Sequence, residues 1–184
     1  MGLKKANACI SLLLVVLFLA HSVYELIACL LLYNDPVTIR VFGLTVASFA
    51  SVHAVLSAIS YFKNHDSKTI AYPKLNKRTV LQRISAVLIL LLLPLHIRTA
   101  GMVIPNAISV TSVILEVVQV IFFGLLYLHI AVSFSRALIT LGWITEERTK
   151  KRIDLIAGIL CSLLFVAQSV VIFATHMSLA NMNS

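Results

Sequence analysis

Four histidines stand inside long apolar stretches, one to each of the first four: His21, His53, His96 and His129. An ionisable side chain in a bilayer helix is costly, so it marks a functional site by default. A single such histidine has a plain alternative reading, a ring that packs a helix interface and bonds a neighbouring carbonyl. Four on four consecutive stretches leave that alternative weak for the set as a whole. Neutral imidazole is also the commonest metal ligand among side chains. Two carboxylates lie in the same apolar stretches, Glu25 and Glu116. Glu25 follows His21 by four residues, which puts both on one helix face.

The elements that must hold these groups are membrane helices. Hydrophobic residues make up 60% of the 184 and charged residues 12%, against roughly a quarter charged in a soluble domain. Five blocks reach the length of about 20 apolar residues that crosses a hydrocarbon layer. They run over approximately Ala8–Tyr33, Ile39–Phe62, Val80–Ala100, Ile108–Ile139 and Ile153–Met177. Lipid offers no hydrogen bonds, so such blocks fold as helices. The expected fold is all-α: one integral-membrane bundle of five helices over residues 1–184. Asn34-Asp35-Pro36 closes the first helix, Tyr72-Pro73 interrupts the longest connection, and Pro94 kinks the third helix. The fourth block, 32 residues or about 48 Å of helix, must tilt or project from the membrane.

Net charge is +8, but its placement argues against nucleic acid as partner. Of 15 basic residues only Arg40 and Arg98 fall in the odd-numbered connections; the other 13 gather at the N-terminus and in the even-numbered ones. The positive-inside rule therefore puts the N-terminus in the cytoplasm and the C-terminus outside. The first block has the basic lead of a signal peptide, but its apolar run exceeds the usual 7–15 residues, and it carries His21 and Glu25. It reads as a retained helix. Cys9, Cys29 and Cys161 all lie in apolar blocks without CxxC or CxxCH spacing, which argues against cysteine-based zinc motifs and covalent haem attachment. They read as buried free thiols.

Depth sorts the histidines. His53 lies ten residues before Lys63 and His129 seven before Arg136, so both belong to the inner half. His96 lies 13 residues beyond Arg83 and His21 16 beyond Lys5, deeper from the inner surface. Two pairs at two depths are what two bis-histidine, non-covalent b haems need, with imidazole on both faces of each iron. A metal-ion transporter would want clustered ligands that include carboxylates, and the two membrane carboxylates make that reading weaker. Small or polar residues, Glu25, Ser57, Ala100 and Ser133, follow the histidines by four; they suit a haem plane along the helix, and equally suit close helix packing. Arg83 and Arg136 end the third and fourth helices, where they either hold haem propionates or anchor the helices at headgroup level.

Taken together, His53-Ala54-Val55 through Tyr61, Leu81-Gln82-Arg83-Ile84-Ser85 leading to Pro94-Leu95-His96, and Leu128-His129 through Gly142-Trp143-Ile144 to Arg152-Ile153 give the chain a family likeness. It resembles the two-haem, five-helix cytochrome b subunit of succinate dehydrogenases and fumarate reductases. The likeness covers roughly residues 52–159, and His21 extends it to the first helix. It implies a proximal haem on His53 and His129, a distal haem on His21 and His96, and a flavoprotein and an iron–sulfur subunit on the cytoplasmic side. It also implies a quinone, commonly menaquinone in two-haem members, and a bacterial or archaeal cytoplasmic membrane.

The expected function is an electron-relaying membrane anchor. It has no active site of its own for a soluble substrate. The runner-up readings are a di-haem anchor for a hydrogenase or formate dehydrogenase, and a haem-free proton conductor or structural anchor. Quinone has two candidate sites. One is Glu25, a carboxyl able to exchange protons near the outer histidines; the other is Gln82, Arg83 and Ser85, able to bond a quinone carbonyl near the inner ones.

Overall fold

The computed structural model describes residues 2–31, 35–63, 73–100 and 110–182. Among these, every regular element is a helix: α1 (Leu3–Leu30), α2 (Pro36–Lys63), α3 (Pro73–Ala100), α4 (Val110–Leu141) and α5 (Glu147–Met182). All five are long and apolar enough to cross a membrane.

The helix ends follow local chemistry. Asp35 caps α2: its Oδ1 accepts from the Val37 amide at 3.1 Å and the Thr38 amide at 3.4 Å, and Pro36 takes the first helical position, where no amide is needed. Asp35-Pro36 is thus an opening signal for α2, and α1 has already ended at Leu30. Pro73 likewise opens α3 rather than interrupting a loop. Helix-favouring Lys74, Lys77 and Arg78 then form its first turns, so α3 begins seven residues earlier than the apolar block. The helix continues through Pro94. At the end of α4, Gly142 adopts φ +83°. Its amide bonds the Ile139 carbonyl and the Trp143 amide bonds that of Leu138, both at 3.0 Å, the paired closure that a glycine after a helix allows. The chain then turns directly into α5, whose charged start from Glu147 to Arg152 precedes the apolar block.

Packing is uneven. A core of Phe18, Phe122, Phe123, Tyr127, Ile130 and Cys161 joins α1, α4 and α5. Lipid tails are as apolar as these side chains, so close fit rather than water exclusion holds them. Gly124 lets Phe165 approach so near that a Cβ there would meet its ring at 3.3 Å. Helix α3 packs on α4, and α2 packs on α1. No described residue of α2 is buried. Its outward Thr45, Ser48 and Ser51 return their hydroxyls to carbonyls four residues back, at 2.8–2.9 Å, which keeps them satisfied against lipid. Of the cysteines, Cys161 is in the core, Cys9 is exposed rather than buried, and the side chain of Cys29 lies outside the described residues.

At the basic end, Arg78 ties three helices together. It donates through Nη1 to Asp154 Oδ2 at 2.6 Å, through Nε to the Val132 carbonyl at 2.8 Å, and through Nη2 to Ser135 at 3.3 Å. Asp154, two turns into α5, is therefore a further carboxylate within an apolar span, beyond Glu25 and Glu116, and it is paired.

Candidate functional site

Because α2 stands away from α3 and α4, a cavity of about 1460 Å³ remains among the first four helices. Single drug-sized ligands take about 300–1,000 Å³; this space is larger. It runs from Lys4, Asn7, Tyr61 and Arg136 at the basic end to Glu25, Arg40 and Arg98 at the far end. His21, His53, His96 and His129 all line it.

The far-end pair is His21 with His96. One ligand atom from each, and one from Glu25, lie within 4.8 Å of one another. His21 is 5% exposed. Its Nε2 stands 3.2 Å from Glu25 Oε1, one turn along α1, and its Nδ1 is buried without a partner. Phe42 of α2 stacks on the His21 ring at 5.7 Å. His96 is stacked on Phe122 at 4.4 Å and met edge-on by Phe123. Its Nδ1 lies 2.6 Å from Gln119 Oε1. An amide oxygen only accepts, so Nδ1 carries the proton and Nε2 carries the lone pair.

The basic-end pair is His53 with His129, which line the cavity from α2 and α4. His129 Nδ1 donates to the Gln82 carbonyl at 3.1 Å and lies 3.0 Å from Ser85 Oγ, whose hydroxyl donates to that same carbonyl. The carbonyl again fixes the tautomer, with the lone pair on Nε2. Such bonds to the second ring nitrogen are how proteins orient metal-ligating histidines. His53 Nδ1 is buried and without a partner.

The other candidates divide. Ser57 accepts from Asn7 Nδ2 at 3.0 Å, linking α2 to α1, and Ser133 returns its hydroxyl to the His129 carbonyl. The side chain of Ala100 lies outside the described residues. Arg136 donates to Gln82 Oε1 at 2.9 Å and to Thr79 at 2.7 Å, and the Arg83 guanidinium covers the Tyr61 ring at 4.4 Å. Both arginines line the cavity. Ser85 is 1% exposed and occupied with His129. Spacing along the chain did not reveal Gln119, which reaches His96 from another helix. Arg40 and Arg98 had registered only as topology signals, although they too line the cavity. Helical spacing does place Glu25 beside His21; that it also comes near His96 is a tertiary fact, and it supplies the clustered carboxylate that the sequence reading lacked at this end.

Fold and site together define a five-helix membrane protein with a long internal cavity flanked by two histidine pairs. Comparison with protein-family models, with curated proteins and with solved structures gave no match.

Proposed function

We propose that the chain is a di-haem cytochrome b, the membrane anchor of a succinate dehydrogenase or fumarate reductase complex in a bacterial or archaeal cytoplasmic membrane. The observation that carries this reading is that α1, α2, α3 and α4 each contribute one histidine to the lining of one oversized cavity, with His21 and His96 brought together at its far end. Two imidazole nitrogens that share one metal ion would each lie about 2 Å from it, so a shared ion requires them to be close together. The far-end pair is within 4.8 Å. Buried unpartnered nitrogens on His21 and His53 cost free energy while they lack a ligand. The cavity face of α2 likewise lacks close packing on α3 or α4. A flat apolar group with a metal centre answers both needs.

When bound, two b haems supply one-electron stations between a cytoplasmic iron–sulfur and flavin partner and membrane quinone. The chain's own residues do the rest. His53 and His129 would hold the proximal group, His21 and His96 the distal one. Gln82, Ser85 and Gln119 fix ring orientation. Arg83 and Arg136 at one end, Arg40 and Arg98 at the other, offer charge to propionates. The basic connections receive the partner subunits on the cytoplasmic face. Glu25, in the cavity near the distal pair, holds or passes the proton of a quinone.

Purification in detergent followed by a reduced-minus-oxidised spectrum tests the cofactor. Measuring quinone turnover in Glu25→Gln tests the quinone site: loss of turnover with both haems intact supports Glu25, and normal turnover moves the site to Arg83.

A further inference from the structure

His21, Glu25 and His96 offer more than a haem requires. A bis-imidazole iron takes two nitrogens; here a carboxylate oxygen stands with them, all three ligand atoms within 4.8 Å. Tetrahedral zinc has metal–nitrogen and metal–oxygen bonds of about 2.0–2.2 Å, so two of its ligand atoms lie about 3.3 Å apart. His21 Nε2 and Glu25 Oε1 are 3.2 Å apart. Little rearrangement of α1 is needed for both to bind one ion, and His96 closes the set from α3. Its Nδ1 bond to Gln119 is the orienting partner that a zinc-bound histidine has. Two histidines, a glutamate and an open fourth position form a donor set that zinc uses.

We propose that the far end of the cavity is a zinc site, filled by a divalent ion when no haem is present. The set is neutral imidazole twice and carboxylate once, so a bound Zn²⁺ keeps net charge +1. Arg40 and Arg98 line the same cavity and oppose a cation, which leaves the affinity to the three ligands alone. Among the described residues the basic-end pair has no carboxylate partner and forms no such set. One zinc per chain therefore binds, at the far end. The proposal rests on these three side chains and their geometry and does not depend on the electron-transfer reading.

The test uses the full chain made by cell-free synthesis into lipid nanodiscs without haem, with Zn²⁺ as the probe. His65→Gln and His176→Gln are included throughout, which removes the two histidines outside the two pairs. The expected result is one zinc per chain after gel filtration, and Co²⁺ substitution should give the visible bands of a tetrahedral ion. Cys9→Ser should leave binding unchanged. Gln119→Leu should weaken it about 10–100-fold, the usual cost of losing an orienting partner, and Glu25→Gln by more than Gln119→Leu. Absence of stoichiometric zinc in monodisperse protein would overturn the proposal, as would equal affinity in Glu25→Gln. Metal binding to such a site is linked to folding, so a chain that stays aggregated with zinc present overturns it as well. Failure of the haem reading shows separately, as a chain that takes zinc here and stays colourless when the same synthesis is repeated with haem added.

Discussion

Each of two histidines owes its orientation to a neighbour that only accepts a hydrogen bond. The Gln82 carbonyl holds His129 and the Gln119 amide oxygen holds His96. Removing such a partner loosens the ligand without deleting it. If the chain holds the two haems we propose, Gln119→Leu is expected to shift the potential and spectrum of the distal one while the proximal one stays unchanged, as potentiometric titration would show. Deleting ligands gives the pairing itself. His53→Ala and His129→Ala should each remove the same haem, His21→Ala and His96→Ala the other; a spectrum in which His53 and His96 behave as partners would refute the assignment. The histidines were legible in the sequence because lipid makes any ionisable residue conspicuous. Glu25 was legible as a neighbour of His21 because four residues is one helical turn. Gln119 and the Gln82 carbonyl were not, since an amide and a backbone group are unremarkable until tertiary packing brings them to an imidazole.

Among the elements, the apolar blocks located all five helices but not their ends. Hydropathy sees only the part of a helix that lies in lipid. Polar turns such as Pro73–Arg78 and Glu147–Arg152 are helical for reasons of capping and propensity that a hydrophobic window passes over. Two helix ends carry sharp tests. Gly142 is held at φ +83°, a conformation that costs other residues about 1–2 kcal/mol; Gly142→Ala should lower stability by about that amount in denaturant titration. At the start of α2, the Thr38 hydroxyl and amide bonds hold the Asp35 carboxyl below the usual aspartate range. The folded form thus favours the carboxylate. Its contribution is present at neutral pH and is lost as pH falls through that lowered value. Amide protection at Val37 and Thr38 should fall with it, Asp35→Asn should remove the pH dependence, and Asp35→Ala should lower protection throughout.

At the scale of the whole molecule, the bundle has a packed side and an open side. Helices α1, α4 and α5 share an aromatic core, and α5 does not line the cavity. Arg78 joins α3 and α4 to α5 through Asp154, so Arg78→Ala should destabilise the bundle by about 1–3 kcal/mol through the carboxylate and carbonyls left behind, with little direct effect on the histidines. Helix α2 is the reverse case. Its apolar window has no buried residue, although His53 and Ser57 face the cavity. It packs on α1 and not closely on α3 or α4, although van der Waals packing is a main source of attraction between helices in lipid. We propose a large flat cofactor against that face of α2, and its presence is directly measurable. The purified chain should be coloured, give a reduced-minus-oxidised spectrum of b-type haem, release all pigment into acid acetone, and titrate as two haems of different potential. A folded, monodisperse and colourless protein, made with haem available, would contradict the account.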